Sequence, residues 1–136
     1  MSFGHLNHGK SPLEVTVVTG AGADIVEFES AGAITAAQLV ALDASGDIVQ
    51  AVSSAAAIGV ALEAASGAGE IVRVCVAGPV EGVASQAGVA AGDPVESAAA
   101  GTVDTWGAAS TIPCFGVAQT AEAGNGYISM YVFRKY

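Results

Sequence analysis

The sequence predicts an all-β domain built as a small barrel or sandwich of short antiparallel strands. Three observations carry this. From Leu13 onward, apolar runs of roughly four to eight residues alternate with Gly, Ser, Asp and Asn clusters, the pattern of strands joined by tight turns. The Ala-rich pieces that helix propensity favours, Ala31 to Ala37, Ser53 to Ala57, Ala64 to Ala68 and Ala98 to Ala100, are too brief and too closely flanked by Gly to hold a helix, so they read as loops or single turns. The chain of 136 residues is 52% hydrophobic but only 6% aromatic, with 18 glycines, which describes one domain with a light, small-side-chain core.

Taken in order, residues 1–12 (MSFGHLNHGKSP) are polar, carry two glycines and follow neither a period of 2 nor 3.6, so they are expected to form a flexible arm ahead of a β-rich domain over residues 13–136. They contain no apolar core segment of a secretory signal. Leu13, Val15 and Val17 alternate with Glu14 and Thr16; a turn at Gly20-Ala21-Gly22 then leads into Ile25 to Glu29, which predicts a first hairpin. Gln38 to Asp43 and Asp47 to Val52 flank Ala44-Ser45-Gly46 and predict a second. Further strands are expected at Ala57 to Leu62, Glu70 to Ala77, Pro79 to Ala84, Pro94 to Ser97, Thr102 to Trp106, Ile112 to Gln119 and Tyr127 to Phe133, with room for one short helix near Ser53 to Ala57 or Ser85 to Gly88. Cys75 and Cys114 lie in apolar runs and are expected to be free thiols.

The two halves echo one another. Leu39 to Leu42, a turn, Gly46 to Val49, Ile58-Gly59-Val60-Ala61 and Ile71 to Val74 have counterparts in Gly92 to Glu96, a turn, Gly101 to Val103, Phe115-Gly116-Val117-Ala118 and Tyr127 to Tyr131. Two hairpin-plus-strand units, each with an open apolar face, would close on one another, with Gly59 and Gly116 at equivalent places where backbone approaches backbone.

Charge narrows the function. Four cations face 13 carboxylates, giving a formal charge of −9, a repulsive field toward phosphate backbones and anionic headgroups, so nucleic-acid and membrane-surface partners are disfavoured. Lys10, Arg134 and Lys135 sit near the ends and leave Arg73 alone in the acidic body. No run of residues is long and apolar enough for a transmembrane helix.

No catalytic constellation emerges. The only histidines, His5 and His8, lie in the leading segment without a Cys or carboxylate to complete a metal site there. No G-x-S-x-G elbow occurs. Gly20-Ala21-Gly22-Ala23-Asp24-Ile25 starts like a dinucleotide-binding turn but has Ile in the sixth position and continues as a strand. Asp43 and Asp47 frame a hairpin turn and lack the ligand spacing of a calcium loop, while Glu27 and Glu29 project together as an exposed acidic face. The Gly92-Asp93-Pro94-Val95 turn resembles that of biotinyl and lipoyl carrier domains, whose lysine at a hairpin tip has no counterpart here. No enzyme activity, cofactor or metal is expected. What remains is a β-body whose bulky aromatics fall late, Trp106, Phe115, Tyr127, Tyr131, Phe133 and Tyr136, a distribution that favours association.

Residues Ile34 to Val83, through the hairpin Leu39 to Val49, the strand Ala57 to Leu62 and the run Ile71 to Val80, resemble the head-decoration, or capsid cement, proteins of tailed double-stranded-DNA bacteriophages. Gly92-Asp93-Pro94-Val95 and Phe115-Gly116-Val117-Ala118-Gln119 are similar to stations of a related cement family. The resemblance implies a compact β-barrel or β-tulip domain with a flexible N-terminal arm. It also implies a virion structural protein that stands as a homotrimer on the outer capsid surface, bound to the major capsid protein and bracing the shell against internal DNA pressure. On that reading Phe3, His5, Leu6, His8 and Lys10 are the expected capsid contacts and Trp106, Tyr127, Tyr131 and Phe133 the expected trimer interface. The alternative expectation is a surface-exposed fibre or adhesion module whose Trp106 or Tyr127 stacks on host glycans.

Overall fold

The computed structural model describes residues 18–19, 22–53, 55–107, 114–124 and 126–133. Ten strands follow in order: β1 (Val18–Thr19), β2 (Asp24–Glu29), β3 (Leu39–Leu42), β4 (Ile48–Gln50), β5 (Gly59–Ala61), β6 (Ile71–Ala84), β7 (Pro94–Ser97), β8 (Val103–Thr105), β9 (Gly116–Ala118) and β10 (Tyr127–Val132). A single 3₁₀ turn at Ala99–Gly101 is the only helical element among the described residues. All strand pairs are antiparallel, in the order β4-β3-β5-β6-β10-β9-β7-β8, with β1 and β2 also on β6. The chain is therefore all-β and curled, as its sequence predicts.

The echo in the sequence is a structural repeat. In the first unit β3 pairs with β4 and β5, and β5 pairs with the front half of β6, which also pairs with β2. In the second, β7 pairs with β8 and β9, and β9 pairs with β10, which pairs with the rear half of β6. The rear half of β6 thus plays for the second unit the part that β2 plays for the first. Hydrogen bonds outside the strands repeat too. Ala31 N–H donates to the Ile48 carbonyl as Gln86 N–H donates to that of Val103, each at 2.9 Å. Parallel bridges Ser30↔Ile48 and Ser85↔Val103 draw the two ends of each sheet together into a half-barrel. The two serines are buried because each hydroxyl answers main-chain groups that the curl takes out of water: Ser30 Oγ donates to the Gly67 carbonyl at 2.7 Å and Ser85 Oγ to that of Gly126 at 3.4 Å.

Strand alternation sorts the side chains. The inner face of the first unit buries Ile34, Val40, Ile48, Ile58, Ala61, Ala65, Val72, Val74 and Val76 in one cluster. Its outer face, Leu39, Val60 and Cys75 in register across three strands, with Ala51 and Ala57 beside them, joins a second cluster with the inner residues of the second unit, among them Val83, Val95, Val103, Phe115, Ile128 and Met130. The sheet of the first unit is consequently buried on both sides. Ser97 fastens the two units: its Oγ accepts from Ala55 N–H and lies at donating distance from the Val52 carbonyl, both at 2.9 Å.

Several expectations hold and two are corrected. The Leu39–Leu42 and Ile48–Gln50 hairpin forms, turned by Asp43, whose Oδ1 accepts from Ser45 N–H and Asp47 N–H at 2.9 Å each. Cys75 and Cys114 are free thiols. Leu13 to Val17, the leading arm of the first predicted hairpin, lies outside the described residues; Ile25 to Glu29 forms a strand as expected, and its described partner is β6, on which β1 also pairs. The strands expected at Glu70 to Ala77 and Pro79 to Ala84 are one continuous β6. Gly78 at φ +108° carries the bend, and a Cβ there would stand 2.7 Å from Ala23 Cα. No helix forms at the described residues of Ser53 to Ala57 or at Ser85 to Gly88; the turn at Ala99–Gly101 is the helical piece that exists.

Gly59 and Gly116 test the repeat directly. Gly59 is paired with Val40 and a Cβ on it would sit 2.5 Å from the Cys75 carbonyl oxygen; Gly116 is paired with Val95 and its Cβ would strike the Tyr131 carbonyl. Either Gly→Ala substitution is expected to cost about 2–3 kcal/mol or more by overpacking, whereas Gly32→Ala, with open space around it, should stay within about 0.5 kcal/mol. Urea denaturation of the three variants checks this.

Candidate functional site

The repeat exposes on its second copy what it buries on its first. The counterparts of Leu39, Val60 and Cys75 are Pro94, Val117 and Tyr131, in register across β7, β9 and β10. Cys75, Val60 and Leu39 are fully buried, but Tyr131 is 44% exposed and Val117 and Pro94 only half-buried. Trp106 stands where the first unit has the buried Ala51: each donates its N–H across to the first strand of its unit, Trp106 to the Pro94 carbonyl at 2.8 Å and Ala51 to that of Leu39 at 2.9 Å. Phe133, one residue past β10, donates its N–H to the Phe115 carbonyl at 3.0 Å and leaves its ring 42% exposed.

Tyr127, Tyr131 and Phe133 alternate along β10 and so share its outer face, and Val117, Pro94 and Trp106 extend that face across the sheet. The four residues that the sequence offered as an association surface, Trp106, Tyr127, Tyr131 and Phe133, are thereby brought to one side of the second unit. Phe115, another of the late aromatics, is buried in the core. Sequence reasoning missed Pro94 and Val117. The signal was the aligned pair Val60 and Val117 in the two A-x-G-like strands, which marks one register position without telling which copy lies open.

The face is apolar along its middle and acidic at one border, where Glu96 and Asp104 are cross-strand partners. Tyr127, at 71% the most exposed large apolar side chain among the described residues, takes the place of Ile71, itself 59% exposed. The arrangement is suited to packing against another apolar surface; Trp106, Tyr127 and Tyr131, with one polar atom apiece, tolerate water until they are covered. Among the described residues no group of three His, Cys, Asp or Glu side chains is placed to hold a metal ion. No described helix is long and apolar enough to cross a membrane. Phe3, His5, Leu6, His8 and Lys10 lie outside the described residues.

The two faces give a direct comparison. Val60→Asp should unfold the chain, since an unpaired carboxylate would be buried between two sheets; Val117→Asp, at the same register position but half-exposed, should cost no more than about 1–2 kcal/mol. Thermal melts of the two variants at one concentration check the difference.

A scan of protein-family models and a search of curated proteins find no match to this chain. A solved structure, described as the head fiber gp8.5 N base of bacteriophage phi29, is similar in fold: TM-score 0.62 and 19% sequence identity, covering 80% of this chain and 94% of that one.

Proposed function

We propose that this chain is a structural protein of a phage virion, carried on the outer surface of the head as a homotrimer bound to the major capsid protein. The observation that carries this reading is the exposed apolar face of the second unit, with Trp106, Tyr127, Tyr131 and Phe133 on one side. A surface of this kind stabilises by being covered, at about 25 cal/mol for each square ångström of apolar area removed from water. The fold likeness to a phage head fiber base and the sequence resemblance to capsid cement proteins support the same setting.

In this reading the face joins copies and the leading segment reaches the shell. Phe3 and Leu6 supply apolar anchors, Lys10 a charge partner, and His5 and His8 polar contacts. Each arm attaches modestly because ordering it costs conformational entropy. Three arms on one trimer bind with high effective concentration, so the whole attaches far more tightly than one arm alone. A trimer bridging neighbouring shell subunits resists their separation under packaged DNA, and no bond-making step is involved.

The test begins with mass in solution. The intact chain is expected as a trimer, and Tyr131→Glu as a folded single copy. Deleting residues 2–12 should leave the trimer whole and abolish decoration of undecorated heads, seen by imaging where density appears. A single-copy wild-type chain, or full decoration by the deleted form, counts against the reading; binding of the isolated protein to glycans, with no affinity for heads, would favour an adhesion module instead.

A further inference from the structure

The repeat also exposes an edge. At the rear half of β6, Val80 and Glu81 pair on one side with Thr19 and Val18 of β1, while Val80 pairs on the other with Met130 of β10; Val80 is completely buried. The equivalent strand of the first unit is β2, whose Val26 faces the barrel beside Val74. Here β6 covers one side, and among the described residues no strand covers the other. Val26 is 43% exposed and Ile25, on the opposite face, 42%. At the twin edge the described residues of β1, Val18 and Thr19, are both paired with β6.

The charge on β2 selects what fills it. Glu27 and Glu29 are both exposed, and Glu70 lies nearby, its carboxyl held below the usual value chiefly by the hydroxyl of Ser66 and therefore ionised at neutral pH. Pairing of β2 with β2 of a second copy would gather like charges, which opposes it. The occupant should be extended, apolar and basic. The chain has one such run, Phe133-Arg134-Lys135-Tyr136, with two adjacent cations out of the four in the whole sequence. In sequence it follows β10 directly, beginning at Phe133 beside the apolar face.

Resting on the self-association read above, we propose that the C-terminal segment Phe133 to Tyr136 of one copy adds as a short strand to the open edge of β2 in a neighbouring copy, with Arg134 and Lys135 set against Glu27 and Glu29. Such a contact is head-to-tail, since the tail of one copy meets a different surface on the next, and a repeated head-to-tail contact closes into a ring when the rotation permits. It uses main-chain hydrogen bonds for affinity and the charge pattern for partner choice.

The test uses the full chain. Val26→Cys and Tyr136→Cys are introduced together with Cys114→Ser; Cys75 is retained because it is buried, with its thiol pushed up to about 11 by desolvation. Mild oxidation is expected to link two and then three copies on a non-reducing gel, and neither single-cysteine variant should do so. A disulfide confined within one copy, or none in a protein that is oligomeric, overturns the proposal. In sedimentation, Arg134→Glu with Lys135→Glu should weaken association about tenfold, as should Glu27→Lys with Glu29→Lys, and combining all four should restore it. If Tyr131→Glu dissociates the oligomer while the tail and edge variants leave its mass unchanged, the tail contact falls and the association face stands. A wild-type chain that remains a single copy at every concentration removes both.

Discussion

One strand, β6, does the work of two, and the rest of the structure follows from that sharing. Its front half closes the first sheet beside β5 and β2, and its rear half opens the second beside β10 and β1. A 14-residue strand cannot serve two sheets without bending, which is why Gly78 with its positive φ and the register shift opposite Ile128 and Met130 fall along it. Because the units share a strand they cannot drift apart, and the outer face of the first is pressed permanently into the interior of the second. Any stack of repeats leaves its last member without a successor. Of the two units described, the first has its outer face covered by the second, and the second has its own exposed at Tyr131.

Much of the fold was legible in the sequence because its signals are local. The Asp43 to Asp47 turn needs only a short side chain that caps its own backbone and a Gly46 free to take φ +86°, both visible in five residues. Gly59 and Gly116 could be matched because each stands in an apolar strand with Val and Ala following it. What stayed hidden was pairing. Ile25 to Glu29 reads as one arm of a local hairpin, since turn residues precede it, and nothing local says that β6, some fifty residues on, is its partner. Pro79 misled in the same way: it reads as a break, but in β6 it pairs with Tyr131 inside a continuous strand. The aromatic face was legible as composition and invisible as a surface, because Tyr131 and Val117 are brought side by side only by the β9 and β10 register.

The two copies of the repeat differ in side-chain size just where their surroundings differ. Ala51 and Cys75 lie buried in the first unit, where Trp106 and Tyr131 occupy the same places in the second. Sheets packed face to face leave about 10 Å between them, which must be shared by side chains from both; beside a neighbour as bulky as Phe115, small residues are what fits on the covered copy. No such limit acts on the open copy. If solvent were its permanent neighbour, charged residues would serve at least as well, as they do at Glu27 and Glu29 on the exposed β2. Tyr and Trp instead combine a large apolar surface with a polar atom at the rim, few torsions to freeze, and tolerance of water before contact, the properties a surface needs when it spends part of its time exposed and part of it covered. Large rings in place of alanine and cysteine, at positions whose backbone is otherwise the same, are what the association proposed for this face would call for.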